Sequence, residues 1–379
     1  MRKLVGLAAA GLLAVSTANA GNINVANTDM VLYGGVATGW SYQTADHIVD
    51  GGGFNKDGFA VTTFAVGLMK APTVESPLGF NAAFASFDVP TLIASAKFVD
   101  NHQLVAHGTT GGSFKPWLAY ASWMVTKNVV IDAGLLWDQF GERPLTILNP
   151  NITRGILFTG HPVAFAGARA TIDAGAAKVY IGYNNGGGLR QGGAVDLDGN
   201  GVKDVKLDVN DAVEFGIMGQ AGDVKFGLHT YNEAKGRDIY ALCLKGTVGN
   251  TSVGIEVDYT TLDDEAENMF GTGGDADTSA WGIALNANPN MGEVALPIRI
   301  EYVDNGSSAT GDTHGSGVYL IGGGTSWSFT ITPTYKPSAN TFIRAEFAYI
   351  KTDEDFFAKK NGDATNTRSI GSVEFGFLF

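Results

Sequence analysis

Residues 196–204 read DLDGNGVKD, a run of oxygen-bearing side chains with the spacing of a calcium loop. Asp196, Asp198, Asn200, Gly201 and Asp204 fall at positions 1, 3, 5, 6 and 9 of such a loop. There, alternating oxygen ligands surround the ion and the glycine permits a sharp turn. Position 12, the place of the bidentate glutamate, is Leu207. The flanks, GYNNGGGLRQGGAV and VKLDVNDAVEFGIMG, are a glycine-rich loop and an alternating stretch instead of two amphipathic helices. At most, this segment is a surface loop holding Ca2+ weakly, in the millimolar class. An Asp/Asn/Gly turn without metal is the simpler reading, and no other cofactor is expected.

A second set of residues carries fixed charge. Glu142, Arg143 and Arg154 lie in the long segment 139–161, and Arg169 sits on the strand that follows. Opposite charges facing each other across a narrow passage set up a transverse field that orients polar solutes and selects ions. The same four residues would serve equally well as ion-paired scaffolding that pins the segment. Further charges fall on one face of the alternating stretches: Asp132, Lys178, Lys225, Glu256, Asp258, the pairs Arg299/Glu301 and Arg344/Glu346, and Glu374. They would line one mixed-charge face, or form structural ladders along it. Enzyme chemistry has little to rest on. The histidines stand at 47, 102, 107, 161, 229 and 314, mostly in loops and without an H-x-x-x-H or H-E-x-x-H spacing.

The elements that must carry these charges are strands. In TSVGIEVDYT, Val253, Ile255, Val257 and Tyr259 alternate with Gly254, Glu256, Asp258 and Thr260. VALPIRIEYV and TFIRAEFAYI repeat the pattern, with one face apolar and the other charged. Short connections (126–128, 173–176, 219–223, 247–250, 287–293, 336–340) alternate with long polar ones (43–57, 139–161, 186–209, 262–276, 304–316, 353–366). Short turns on one side and long loops on the other are the signature of an outer-membrane β-barrel. The spacing predicts an antiparallel barrel of about 16 strands. Residues 70–112 and 317–326 are the least regular, which leaves 14 or 18 as alternatives. Tyr42, Trp137, Tyr183, Tyr231, Tyr259, Tyr302 and Tyr349 fall near the outer strand ends, as an interfacial girdle requires. Pro297 cannot donate to a ladder, so a local irregularity is expected there.

Both ends of the chain fit this picture. MRKLVGLAAAGLLAVSTANA has a basic start, an apolar middle and an Ala18-Asn19-Ala20 cleavage site. This pattern predicts a signal peptide over residues 1–20 and a mature barrel over 21–379. Charged residues are only 17% of the chain, below the roughly 25% of soluble domains. A lone Cys243 excludes an internal disulfide framework. The net charge is −13, and −15 without Arg2 and Lys3, so nucleic acid is not an expected partner. The closing SIGSVEFGFLF puts Gly371, Val373, Phe375, Phe377 and Phe379 on one face. Phe375, Phe377 and Phe379 resemble the C-terminal signal read by the barrel-assembly machinery, the partner expected during biogenesis.

Residues 129–172 add a family resemblance. VVIDAGLLWDQFGERP is followed by LNPNITRGILFTGHPVAFAGARAT, with Asn151, Thr153-Arg154, Pro162 and Gly167-x-Arg169 in sequence. Together these resemble the β-barrel porins of the OmpL-like family, densely here and diffusely beyond. The segment VYIGYNNGGG departs from the pattern by lacking Trp and Asp beside its Asn-Gly. The resemblance implies a bacterial outer-membrane pore embedded in lipid and passing small hydrophilic solutes or ions, and it implies no particular solute. A homotrimer is one possible assembly. The competing expectation is a non-conducting outer-membrane protein with a structural or adhesive role.

Overall fold

Valine, isoleucine, tyrosine and phenylalanine at every second position suit a pleated sheet with two unlike faces. The computed structural model describes residues 23–24, 28–47, 58–87, 89–93, 95–98, 104–106, 114–186, 194–195, 205–206, 211–234, 236–263, 279–306, 318–319, 321 and 324–379. The proposed signal peptide and the calcium-like residues Asp196, Asp198, Asn200 and Asp204 lie outside the described residues.

Sixteen strands form the wall. They are β1 (Met30–Gln43), β2 (Gly58–Lys70), β3 (Leu78–Phe87), β4 (Lys115–Thr126), β5 (Val129–Trp137) and β6 (Ala164–Asp173). Next come β7 (Ala177–Asn184), β8 (Ala212–Ala221), β9 (Val224–Glu233), β10 (Arg237–Val248) and β11 (Thr251–Leu262). The last are β12 (Ser279–Pro289), β13 (Ile298–Asp304), β14 (Thr325–Ile331), β15 (Thr341–Thr352) and β16 (Thr367–Leu378). Each strand pairs antiparallel with its sequence neighbours, as in β10–β11 and β11–β12. β1 pairs with β16 from Gly35↔Leu378 to Gln43↔Ile370, which closes the barrel. Gly34 and Phe379 extend that seam with reciprocal backbone hydrogen bonds of 2.8 and 3.0 Å. Closure leaves no sheet edge unpaired, the condition lipid imposes.

The strand at Pro297 is interrupted, as its missing N–H requires. Val294–Ala295 and Thr334–Ser338 pair with each other below the break, and the Pro297 carbonyl accepts from Thr332 N–H at 2.8 Å. Loop lengths depart from strict alternation once. β9 and β10 meet at the outer side through residues 234–236 alone, where Gly236 N–H donates to the Glu233 carbonyl at 2.9 Å.

The outward face is apolar along the middle of the strands, with charged residues such as Lys351 near their ends. Ile255, Leu285, Ile300, Ile343, Phe347, Val373 and Phe375 are all exposed on it. A charge in their place would cost about 2–4 kcal/mol at mid-membrane, whereas lipid covers them favourably. Tyr42, Tyr183, Tyr259 and Tyr302 are exposed at the outer ends, and Tyr349 packs tilted against Trp327 with centroids 5.1 Å apart. Tyr240 and Trp281 join this girdle beside Tyr259 and Tyr302. Trp137 and Tyr231 do not. Tyr231 shares the inward parity of His229 and is fully buried, and Trp137 turns its Nε1–H onto the Trp117 carbonyl at 2.9 Å. Inward parity removes Tyr231 from the girdle, whereas Trp137, with the parity of exposed Ala133, is removed by its packing against Trp117, centroids 4.3 Å apart.

Candidate functional site within the barrel lumen

The connection between β5 and β6, residues 138–163, does not stay at the surface. It carries a short 3-10 turn, Thr146–Leu148, and a single helical turn, Ile156–Gly160. Every residue from Asn151 to Phe165 is buried. A loop can be buried only if its backbone polar groups find partners, and charged side chains of the facing wall supply them.

Arg344 on β15 donates to the carbonyls of Thr146, Asn149 and Pro150 at 2.9, 2.8 and 3.2 Å. Two residues on, Glu346 accepts from the N–H groups of Ile152 and Thr153 at 2.5 and 2.8 Å and from the Thr153 hydroxyl. Glu301 on β13 accepts from Ile156 N–H at 3.0 Å and Leu157 N–H at 3.3 Å, where the helical turn begins. Arg237 on β10 donates to the Gly160 carbonyl. Charge-assisted bonds of this kind are about twice as strong as neutral ones. The period-two wall thus meets the loop with alternating donors and acceptors, and the two R-x-E repeats are its ties.

The four residues expected to constrict a passage are drawn into this anchorage. Arg154 is fully buried and donates to the loop's own Asn151, Ile152 and Arg143 carbonyls. Burial pushes its guanidinium down to about 10, so it remains cationic at neutral pH, aided by nearby Glu142. Arg169 forms a two-pronged pair with Glu214 at 2.7 and 2.9 Å and holds the Trp137 carbonyl at 2.6 Å. Glu142 bridges Arg299 Nη1 and Gly155 N–H, each at 2.6 Å. Burial alone would raise its carboxyl, but Arg299 and then Arg154 hold it below the usual carboxylate range. Arg143 pairs with Asp138 across the loop's root. Glu142 and Arg143 keep partial exposure, whereas Arg154 and Arg169 do not face open water.

The charges expected to line the lumen all have inward parity, with different surroundings. Asp132 accepts from Ser122 and is half-buried, as is Lys178, and Lys225 is exposed at the inner end of its strand. Glu256 and Asp258 face His161 of the loop. Arg299, Glu301, Arg344, Glu346 and Glu374 are covered, with Arg344 paired to Glu374. They are covered because a loop whose carbonyls and N–H groups need partners packs directly over them.

Other lumenal anchors carry no repeat or motif. Arg368 on β16 donates to the Leu92 and Ile93 carbonyls, tying down the β3–β4 connection. That connection also pairs with the inward loop, through Arg154 N–H to the Pro90 carbonyl at 2.7 Å. Leu92, Ile93, Ile156, Leu157, Val318, Tyr319, Ile321 and Phe357 then cluster with Val303, Ala348 and Ile350 of the wall. Parts of four outer connections thus pack together inside the upper barrel. Inward parity for Arg237 and Arg368 was the available signal; their partners, far away in sequence, were not legible.

The model of the putative β-barrel porin-2 family, OmpL-like, matches residues 94–379. Among solved structures, OmpT of Vibrio cholerae is 12% identical with a TM-score of 0.59 over 94% of this chain and 100% of its own. A trimer form of that protein has a TM-score of 0.55 at 12% identity, over 92% of this chain and 99% of its own. The anion-selective porin from Comamonas acidovorans is similar at 0.58 and 12% identity, over 92% of this chain and 99% of its own. OmpF of Salmonella typhi, in complex with daunomycin, is similar at 0.58 and 12%, over 95% and 100%. Comparison with curated protein sequences gives no match.

Proposed function

Because this chain belongs to the OmpL-like β-barrel porin family, we propose that it is an outer-membrane channel through which small hydrophilic solutes or ions diffuse without chemical change. The observation that carries this reading is the buried β5–β6 loop, strapped across the lumen of a closed barrel by Arg299, Glu301, Arg344 and Glu346. A loop held in this way narrows a wide barrel to a passage whose bore depends on its anchors. Residues 1–20 act as a cleavable export signal in a Gram-negative cell, and the mature chain reaches the outer membrane through the barrel-assembly machinery. A homotrimer is the assembly this reading favours, supported by the trimer form among similar porins.

The test is planar-bilayer conductance of the refolded mature chain, residues 21–379. Discrete, stable current steps are expected in simple salt. No channel at any voltage would overturn the reading in favour of a non-conducting barrel with a structural or adhesive role.

A further inference from the structure

Three metal-ligating side chains converge where the inward loop returns to the wall. Glu256 and Asp258 lie two residues apart on the lumenal face of β11. His161 immediately follows the loop's helical turn and brings its Nε2 to 2.7 Å from Asp258 Oδ2 and 3.7 Å from Glu256 Oε1. One donor atom from each residue falls within 4.8 Å of the others. His161 and Asp258 are almost completely buried, with side-chain exposures of 2% and 1%.

Hydrogen bonding leaves this cluster incomplete. Asp258 Oδ1, Glu256 Oε1 and His161 Nδ1 are buried atoms without a hydrogen-bond partner. With both carboxyls ionised, a single imidazole would leave net negative charge in a low-dielectric interior, which a divalent cation would neutralise. The ring is held in place by other means. Phe140 packs edge-on against it with centroids 5.0 Å apart. Gly141, at φ +75°, passes so close that an added Cβ would lie 2.1 Å from Nδ1. An immobilised imidazole between two underused carboxylates has the donor set of a first-row divalent ion.

We propose that His161, Glu256 and Asp258 form a lumenal site for a divalent transition-metal ion such as Zn2+. Oxygen ligands at about 2.0–2.2 Å and an imidazole nitrogen at about 2.0–2.1 Å suit Zn2+, and the nitrogen disfavours Ca2+ and Mg2+, which take oxygen. With three protein donors, a fourth position remains for water or a passing solute group. The ion would clip the end of the inward loop to β11, fastening the side of the loop that the R-x-E ties do not reach.

Metal-stripped, detergent-solubilised mature barrel, equilibrated with Zn2+ and assayed for bound zinc per chain, tests the proposal. One tightly held ion per chain is expected. It should be lost in His161→Ala and Asp258→Asn, and its affinity should fall roughly tenfold or more in Glu256→Gln, since removing even a residue that supports a ligand costs 10–100-fold. His102→Ala and His314→Ala should leave binding intact. Cu2+ loading adds a spectroscopic readout, with coupling to a single imidazole nitrogen that disappears in His161→Ala. Heat-modifiable mobility on gels identifies folded variants, and Glu256→Gln, the least buried position, serves if the others do not fold. Equal zinc binding by folded wild type and folded Glu256→Gln or His161→Ala would overturn the site.

Discussion

Glu346 illustrates how much of the lumen rests on single side chains. Its carboxylate takes Ile152 N–H, Thr153 N–H, the Thr153 hydroxyl and the Thr332 hydroxyl at once. Glu346→Ala strands two buried N–H groups and the Thr153 and Thr332 hydroxyls. Breaking a buried charged network of this kind costs about 3–5 kcal/mol. The variant should lose heat-modifiability at a lower temperature, and its single-channel current should become larger or noisier as the loop loosens. An unchanged current with unchanged stability would mean that the loop is held without Glu346. The R-x-E repeat was readable as a same-face pair, but its partners were not. Arg344 and Asn149 are 195 positions apart, beyond any local pattern.

At the scale of the element, β16 has two tasks. Its outward face carries Val373, Phe375 and Phe377, all exposed to lipid, and its backbone closes the barrel against β1. Phe379 is bound into the seam through both its N–H and its carbonyl. Deleting Phe379, or changing Phe375, Phe377 and Phe379 to Ser, should leave passage across the inner membrane intact. Assembly should fail, with protein held or degraded in the periplasm, as read by cell fractionation and heat-modifiability. A heat-modifiable band in the outer membrane at wild-type level would refute this role. The strands were legible because a period of two records both faces of each one. Tyr231 was misplaced because nearness to a strand end was weighed over parity, and Trp137 because it is buried against Trp117 despite sharing the parity of exposed Ala133.

For the whole molecule, electrostatics concerns the mouth more than the wall. Net charge is −13, and −15 without Arg2 and Lys3, with acid concentrated in stretches such as LDDEAENMFGTGGDADTS. Such a field raises local cation concentration, so a weak cation preference is expected. Reversal potential under a salt gradient measures it. An anion-selective value would mean that Arg143, Arg154 and Arg169 dominate the field despite their pairing.

By itself, the amino-acid order pointed to a barrel of about 16 strands, to most of its lipid-facing surface and to which charges point inward. These follow from a local period imposed by the pleat and from the cost of polar groups in lipid. Only the tertiary structure decided what the inward charges touch. Loop backbone enters the lumen and needs partners wherever the closed wall brings them, so Arg237 meets Gly160 and Arg368 meets Leu92. For the same reason Glu256 and Asp258, a visible same-face pair, acquire His161 from a loop nearly a hundred residues earlier.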